Sequence, residues 1–198
     1  MFIMKRVGER TLVLFSNDFT GGGGWGLAGP PGVNTGETDP LGGTDGWEIE
    51  DGNISFQENI HNIDNALPPD SNYEISLFVQ EGTATTSRLQ FDFFDDPYDP
   101  SFHAQGIVDI TWLAGSPILV ARGGTTSVSV IPQTDGLDKI GATDWYKIKI
   151  IFSNAQVGNR ERWNFTLSPA TTTATPLTPT GSILIFNFQF DAVKTDRK

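Results

Sequence analysis

At 198 residues the chain is long enough for one domain of ordinary size. Its 22 glycines and 12 prolines, 34 positions together, exclude a mainly helical protein, because both residues are costly inside helices. With 24 acidic against 13 basic side chains the net charge is −11, and the absence of cysteine excludes disulfides, thiolate metal sites and cysteine nucleophiles. The charge is unevenly placed. Residues 17–109 hold 17 Asp or Glu and a single base, Arg88, for a net of −16; the rest hold 12 bases and 7 acids, a net of +5. A stretch that acidic repels phosphate, so nucleic acid is not an expected partner. No apolar run reaches the roughly 18–20 residues of a membrane helix, so no membrane partner is expected either. The charges of Lys5, Arg6 and Arg10 come too early for a secretory signal.

Strand patterns follow one another along the chain. Residues 1–10, with Phe2, Ile3 and Met4 beside those bases, precede the first of them and are expected to be an N-terminal arm free to pack on a neighbour. Thr11–Phe15 is a short apolar run. Residues 20–46 are dominated by glycine and proline with little apolar periodicity, which predicts a binding loop or an extended arm. Alternation then predicts strands at Asn53–Gln57, Tyr73–Val79, Arg88–Phe93, Ile107–Trp112 and Ser127–Ile131. Trp145–Ile150 should turn Tyr146, Ile148 and Ile150 inward and Lys147 and Lys149 outward. Arg162–Leu167 and Ile183–Phe190 complete the series, with a threonine-rich loop at residues 170–180 between them. Roughly nine half-buried strands in one chain make an all-β sandwich or barrel.

Chemistry is harder to find. Gly21, Gly23 and Gly26 match G-x-G-x-x-G, but Leu27-Ala-Gly-Pro-Pro-Gly32 cannot start the helix that a dinucleotide site requires. Glu48 and Glu50 share one side of a strand, about 6–7 Å apart, a spacing open to glycoside hydrolysis but also to two solvated acids. Neither His61 nor His103 has metal-ligand spacing, and no G-x-S-x-G marks a nucleophile. Asp95, Asp96 and Asp99 crowd one turn without the spacing of a calcium loop. Asn53-Ile-Ser55 and Asn164-Phe-Thr166 match the glycosylation sequon. An enzyme is therefore not expected. Among the aromatics, Trp25 in the glycine-rich stretch and Tyr98 beside acids are the candidates for stacking on a sugar ring, whereas Trp112, Trp145 and Trp163 lie in strand patterns that imply core packing.

Val13-Leu-Phe-Ser-Asn-Asp-Phe19, followed by Trp25, resembles the opening of jelly-roll carbohydrate-binding-like modules of the kind that recur in bacteriophage virion proteins. Tyr73–Val79, Asp144–Ile150 and Ile185–Asp191 are similar to the same family's later strands, in the same order. The resemblance spans residues 12–193 and implies a single antiparallel jelly-roll sandwich over residues 11–198, behind the arm at 1–10, with first and last strands adjacent. It further implies a non-enzymatic virion protein, a capsid decoration or tail-associated component whose partners are other virion proteins and copies of itself. The alternative it carries is a lectin-like module binding polysaccharide. No cofactor is implied beyond calcium, which in related modules staples the first strand to the last. Here Thr20 stands where the first acid of that staple would be, leaving Asp18 and Asp191 as the nearby candidates.

Overall fold

The computed structural model describes residues 3–7, 10–14, 18–20, 25–29, 31–55, 58–64, 71–94, 104–123, 128–132, 138–139, 144–154, 162–171 and 180–194. The strands are β1 (Ile3–Val7), β2 (Arg10–Leu14), β3 (Trp25–Ala28), β4 (Gly32–Glu37), β5 (Gly46–Asp51), β6 (Asn59–Asp64), β7 (Ser71–Glu81) and β8 (Thr86–Phe94). They continue as β9 (Ala104–Leu113), β10 (Ser116–Gly123), β11 (Val128–Pro132), β12 (Asp138–Lys139), β13 (Tyr146–Asn154), β14 (Arg162–Ser168) and β15 (Gly181–Lys194). Among the described residues there is no helix, and every strand pairing is antiparallel.

One sheet runs β1-β2-β15-β7-β13-β11, with β5, β4 and β12 attached at its flanks; the other runs β10-β9-β8-β14-β6-β3. Within them, β2-β15-β7-β13 faces β6-β14-β8-β9. Taken in chain order, these eight strands cross between the sheets as two interleaved Greek keys, which is the jelly roll. The strand expected first, at Thr11–Phe15, is β2, and it lies beside the last as expected, β15 pairing with β2 from Phe190↔Val13 to Val193↔Arg10.

Period two explains the core. Ile75, Leu77 and Val79 of β7 and Ile148 and Ile150 of β13 point at Leu89 and Phe91 of β8, Val108 and Ile110 of β9, and Phe165 and Leu167 of β14, all essentially without solvent contact. Each such side chain contributes about 1.5–3 kcal/mol by leaving water. The alternate residues face outward. There Lys149 pairs with Glu74 at 2.6 Å, and Arg88 with Asp109 at 2.8 Å.

Three expectations are corrected. Within the segment 1–10, expected to be a free arm, Ile3–Val7 pairs with Arg10–Leu14 and extends the larger sheet by one strand. Residues 20–46 are not one long loop, since β3 joins the smaller sheet through β6 and β4 joins the larger through β5. The strand expected at Asn53–Gln57 lies later, at Asn59–Asp64. Polar side chains hold the earlier residues in a bend: Asp51 Oδ1 accepts from the Asn53 amide (3.0 Å), and Asn53 Oδ1 from the Ser55 amide (2.8 Å). Ile54 consequently points into solvent.

Candidate functional site

The last strand changes neighbours partway along. One edge of β15 pairs with β5 over Gly181–Ile185 and with β2 over Phe190–Val193. Between these stretches that edge pairs with no described residue, and its register with β7 slips between Phe186 and Gln189. Asn187 absorbs the extra residue with φ of 51°, a conformation that Asn tolerates better than most residues. The slip re-aims the aromatics. Ile183 and Ile185 point inward; without it Phe186 and Phe188 would both point outward, whereas Phe188 is buried in the core.

Inside the notch an aromatic cluster closes the core. Phe19 lies 4.8 Å from Trp25 and 5.6 Å from Trp47 between ring centroids, and Trp25 is 5.4 Å from Phe188. Phe188 in turn sits 4.6 Å from Phe165 across the sandwich. Outside the notch Phe186 packs on Phe78 (5.8 Å) and edge-on to Trp145 (6.5 Å). A cleft of about 400 Å³ opens at the join, lined by Asp18, Asp45, Trp47, Phe186 and Asn187.

Local sequence explains how each wall is held. Thr20 Oγ1 (2.5 Å) and the Thr20 amide (3.1 Å) both donate to Asp18 Oδ1. The hydroxyl first and the amide second pull the Asp18 carboxyl below the usual carboxylate range, against a smaller opposing effect of burial. Asp45 and Trp47 are placed by the loop Asp39-Pro-Leu-Gly-Gly-Thr-Asp45. At its centre the buried Asp39 carboxylate accepts from the amides of Leu41 (2.7 Å), Gly43 (3.1 Å) and Asp45 (3.2 Å). Burial raises the Asp39 pKa, but these amides together lower it further, so it too lies below the ordinary value. The loop is anchored at Thr38, whose carbonyl accepts from Trp145 Nε1 at 3.0 Å. Gly46 then lets β5 approach β4 closely, since a Cβ there would stand 2.8 Å from the Glu37 carbonyl oxygen.

Donors and acceptors in the cleft divide simply. The carboxylates are acceptors. Asn187, which lines the cleft, accepts through Oδ1 from Gln189 Nε2 (3.3 Å) and carries an NH2 able to donate. Trp47 is half-buried and lines the cleft. A partly exposed indole beside carboxylates and a primary amide is the composition that holds a ring bearing hydroxyl groups: apolar ring face on the indole, hydroxyls on the polar groups.

The residues singled out from sequence are distributed otherwise. Trp25 is 3% exposed and wedged among Phe19, Phe165 and Phe188, so it cannot stack on a ligand; this corrects the expectation. Tyr98, His103 and the acids Asp95, Asp96 and Asp99 lie outside the described residues. Asp18 lines the cleft, whereas Asp191 lies past the bulge, opposite Glu74 of β7 and Leu12 of β2. Among the described residues no three of Asp, Glu and His come together to hold a metal. Glu48 and Glu50 do share one face of β5, with Glu48 accepting from Asn34 Nδ2 at 3.2 Å. His61 lies against Gly26, and β3 continues there as a strand with no helix start, as expected. Trp112 and Trp145 are buried, but Trp145 serves the outer cluster and not the core. Trp47, Asp45 and Asn187 were missed. For the last, the only sequence trace is that the continuous apolar run Ile183–Phe186 gives way at Asn187 to alternation.

No family model and no curated protein matches the chain. Among solved structures it is similar to the enzymatically active domain of tailspike protein 4 from bacteriophage CBA120, at 14% identity and a TM-score of 0.48, over 86% of this chain and 19% of that one. It is similar to a Clostridium thermocellum endo-1,4-β-D-xylanase comprising CBM22 and GH10 modules, complexed with xylohexaose, at 14% identity and 0.45, over 88% of this chain and 27% of that one. A CBM22 xylan-binding domain of a Paenibacillus barcinonensis protein gives 13% identity and 0.47, over 88% of both chains. Likenesses this loose carry no functional argument, so a function has to rest on the residues of the cleft.

Proposed function

We propose that the chain is a non-enzymatic, saccharide-recognising jelly-roll module that works on a bacteriophage-like particle. The observation that supports saccharide recognition is the cleft at the β15 bulge, which sets the half-buried Trp47 beside Asp18, Asp45 and Asn187. Particle association is supported by the resemblance of the Val13–Phe19 opening and the later strands. The test is a glycan array followed by titration of the hits. Millimolar or tighter binding, weakened about tenfold (roughly 1.4 kcal/mol) or more in Trp47→Ala, is the expected result. An array without hits, for a protein whose circular dichroism shows the β fold intact, would end this reading.

A second reading, a purely structural capsid-decoration or tail component, is favoured by a different surface. The β9–β10 hairpin turns at Ala114 and Gly115, with φ of 51° and 79°, and carries Leu113 at its tip. On the outer face of β10, the end strand of the smaller sheet, Ile118 and Val120 are exposed at 44% and 41%, and Leu113 at 65%. A short apolar row on an edge strand is suited to contact with another protein. Ile118→Lys with Val120→Lys should abolish co-purification with particles while leaving glycan binding untouched. Undiminished incorporation would remove this surface from consideration.

A further inference from the structure

Independently of the saccharide reading, we infer that the chain pairs with a second copy of itself through one margin of the larger sheet, about a two-fold axis level with Asn187. Two pairs of strands share that margin. Leu12 of β2 lies between Lys5 of β1 and Asp191 of β15, and Ile49 of β5 lies between Val33 of β4 and Ile183 of β15. So β1 and β4, outermost there among the described residues, both stand two strands, roughly 10 Å, beyond one edge of β15. Their levels are separated by the run of β15 from Ile183 to Asp191, roughly 26 Å, and Asn187 is its midpoint.

The two halves carry opposite charge. Residues 3–14, spanning β1 and β2, hold Lys5, Arg6 and Arg10 against Glu9, a net of +2. Residues 32–51, spanning β4 and β5, hold six acids and no base, a net of −6. Asp39 and Asp51 are buried, whereas Glu37 and Glu48 are half-buried and Asp45 and Glu50 exposed, which leaves −4 at the surface. This half faces solvent: four of the six residues of β4 are exposed, and a Cβ added at Gly36 would meet nothing within 4 Å. A margin that is basic at one end and acidic at the other complements itself. Rotation by 180° about an axis beside its middle brings β1 of each copy against β4 of the other, so both contacts are attractive and equivalent. With both halves occupied, neither is left to recruit a third copy, and the assembly closes as a dimer. Asn187 lines the cleft, so the pairing sets one cleft on either side of the axis. Exposed charge pairs contribute little singly, so the attraction is collective and screened by salt.

Sedimentation velocity of the full chain at about 20 mM and about 500 mM salt tests this, since the screening lengths differ several-fold. The parent should be a dimer at low salt, and its dissociation constant should rise at least tenfold at high salt. Lys5→Glu/Arg6→Glu makes the whole margin acidic, and Glu37→Lys/Glu48→Lys/Glu50→Lys makes it all basic. Each variant alone should be monomeric at low salt. An equimolar mixture of the two should form a mixed dimer, because each half then meets its opposite again; damage to the fold cannot be repaired by mixing. If circular dichroism shows that either variant has lost the β fold, Arg6→Glu, which neutralises the basic half, should by itself weaken the parent dimer at least tenfold. A parent that is monomeric at low salt overturns the pairing. So does dimerisation undiminished in a folded variant, or a mixture no more dimeric than its components. Each of these leaves saccharide recognition standing.

Discussion

Trp25 and Trp47 both pack against one ring, Phe19, but differ in exposure. Trp25 is 4.8 Å from Phe19, buried, and braced by Phe165 and Phe188 of both sheets. Trp47 meets Phe19 edge-on at 5.6 Å, but it is half-buried and lines the cleft with Asp18, Asp45 and Asn187. The difference arises from position relative to the β15 bulge. Trp25 reaches inward from the strand β3 at one end of the smaller sheet, while Trp47 sits on β5 opposite Ile185, close to the β15 bulge. An aromatic in a glycine-rich stretch is thus not by itself the mark of an exposed ring.

The largest effect expected on either side of this comparison is on stability. Trp25→Ala leaves a cavity among three aromatic neighbours and should cost about 3–5 kcal/mol, the range for buried Phe or Trp truncations. Urea unfolding measures it. A loss under about 1 kcal/mol would mean that the two tryptophans do not differ as described. Trp47→Ala should cost less than half as much, because the ring is already partly in solvent, and its main consequence should be the tenfold loss of glycan affinity. If Trp25→Ala weakens binding more than Trp47→Ala at a temperature where both are folded, the assignment is inverted.

A smaller effect should appear on acidification. The folded pKa of Asp39 is lowered, so its contribution is complete above the unfolded value near 3.9 and is lost as pH falls through the folded value. Stability should therefore decline below about pH 4 partly through this loop. In Asp39→Asn the side-chain NH2 would replace an acceptor and oppose the amides of Gly43 or Asp45, so the variant should be less stable than the parent at neutral pH. The gap should narrow as pH approaches 3 or so. A gap that stays constant with pH would show that the carboxylate charge is not what organises the loop. Since the loop carries Asp45, glycan affinity should fall with it, whereas the Trp25 cluster should be untouched.

Much of the sandwich was legible because burial of one sheet face imprints a period of two. Tyr146, Ile148 and Ile150 point inward and Lys147 outward as the spacing predicts, and Leu89 and Phe91 follow the same rule. Legibility failed where that imprint is absent. The strands β3 and β4 are short, rich in glycine and at sheet margins, and β1 is an edge strand whose pairing with β2 leaves no mark in its own composition. Asn53–Ser55 alternates like a strand but its polar side chains satisfy the backbone locally and bend it. The cleft was illegible for a different reason. It joins residues 18, 45, 47, 186 and 187, brought together only when β15 passes from β5 to β2, and no local pattern encodes a change of partner.

The smallest effect separates the two things Asn187 does. Its φ of 51° is unfavourable for residues with a Cβ and worst for β-branched ones, while glycine adopts it freely. Asn187→Gly should therefore leave stability within about 1 kcal/mol of the parent, relief of strain being offset by the greater freedom of glycine in the unfolded chain. Asn187→Val should cost about 1–3 kcal/mol by forcing a branched side chain into the left-handed region or undoing the bulge. If the bulge is undone, Phe188 loses its place beside Trp25 and Phe165, and the damage spreads from the cleft into the core. Affinity follows the amide and not the backbone. Asn187→Gly keeps the bulge but removes a donor to the ligand, so glycan binding should weaken about three- to tenfold, the net worth of one hydrogen bond. Retention of full affinity in Asn187→Gly would assign the side chain to shaping β15 alone, and the polar contact to a ligand would then rest on Asp18 and Asp45.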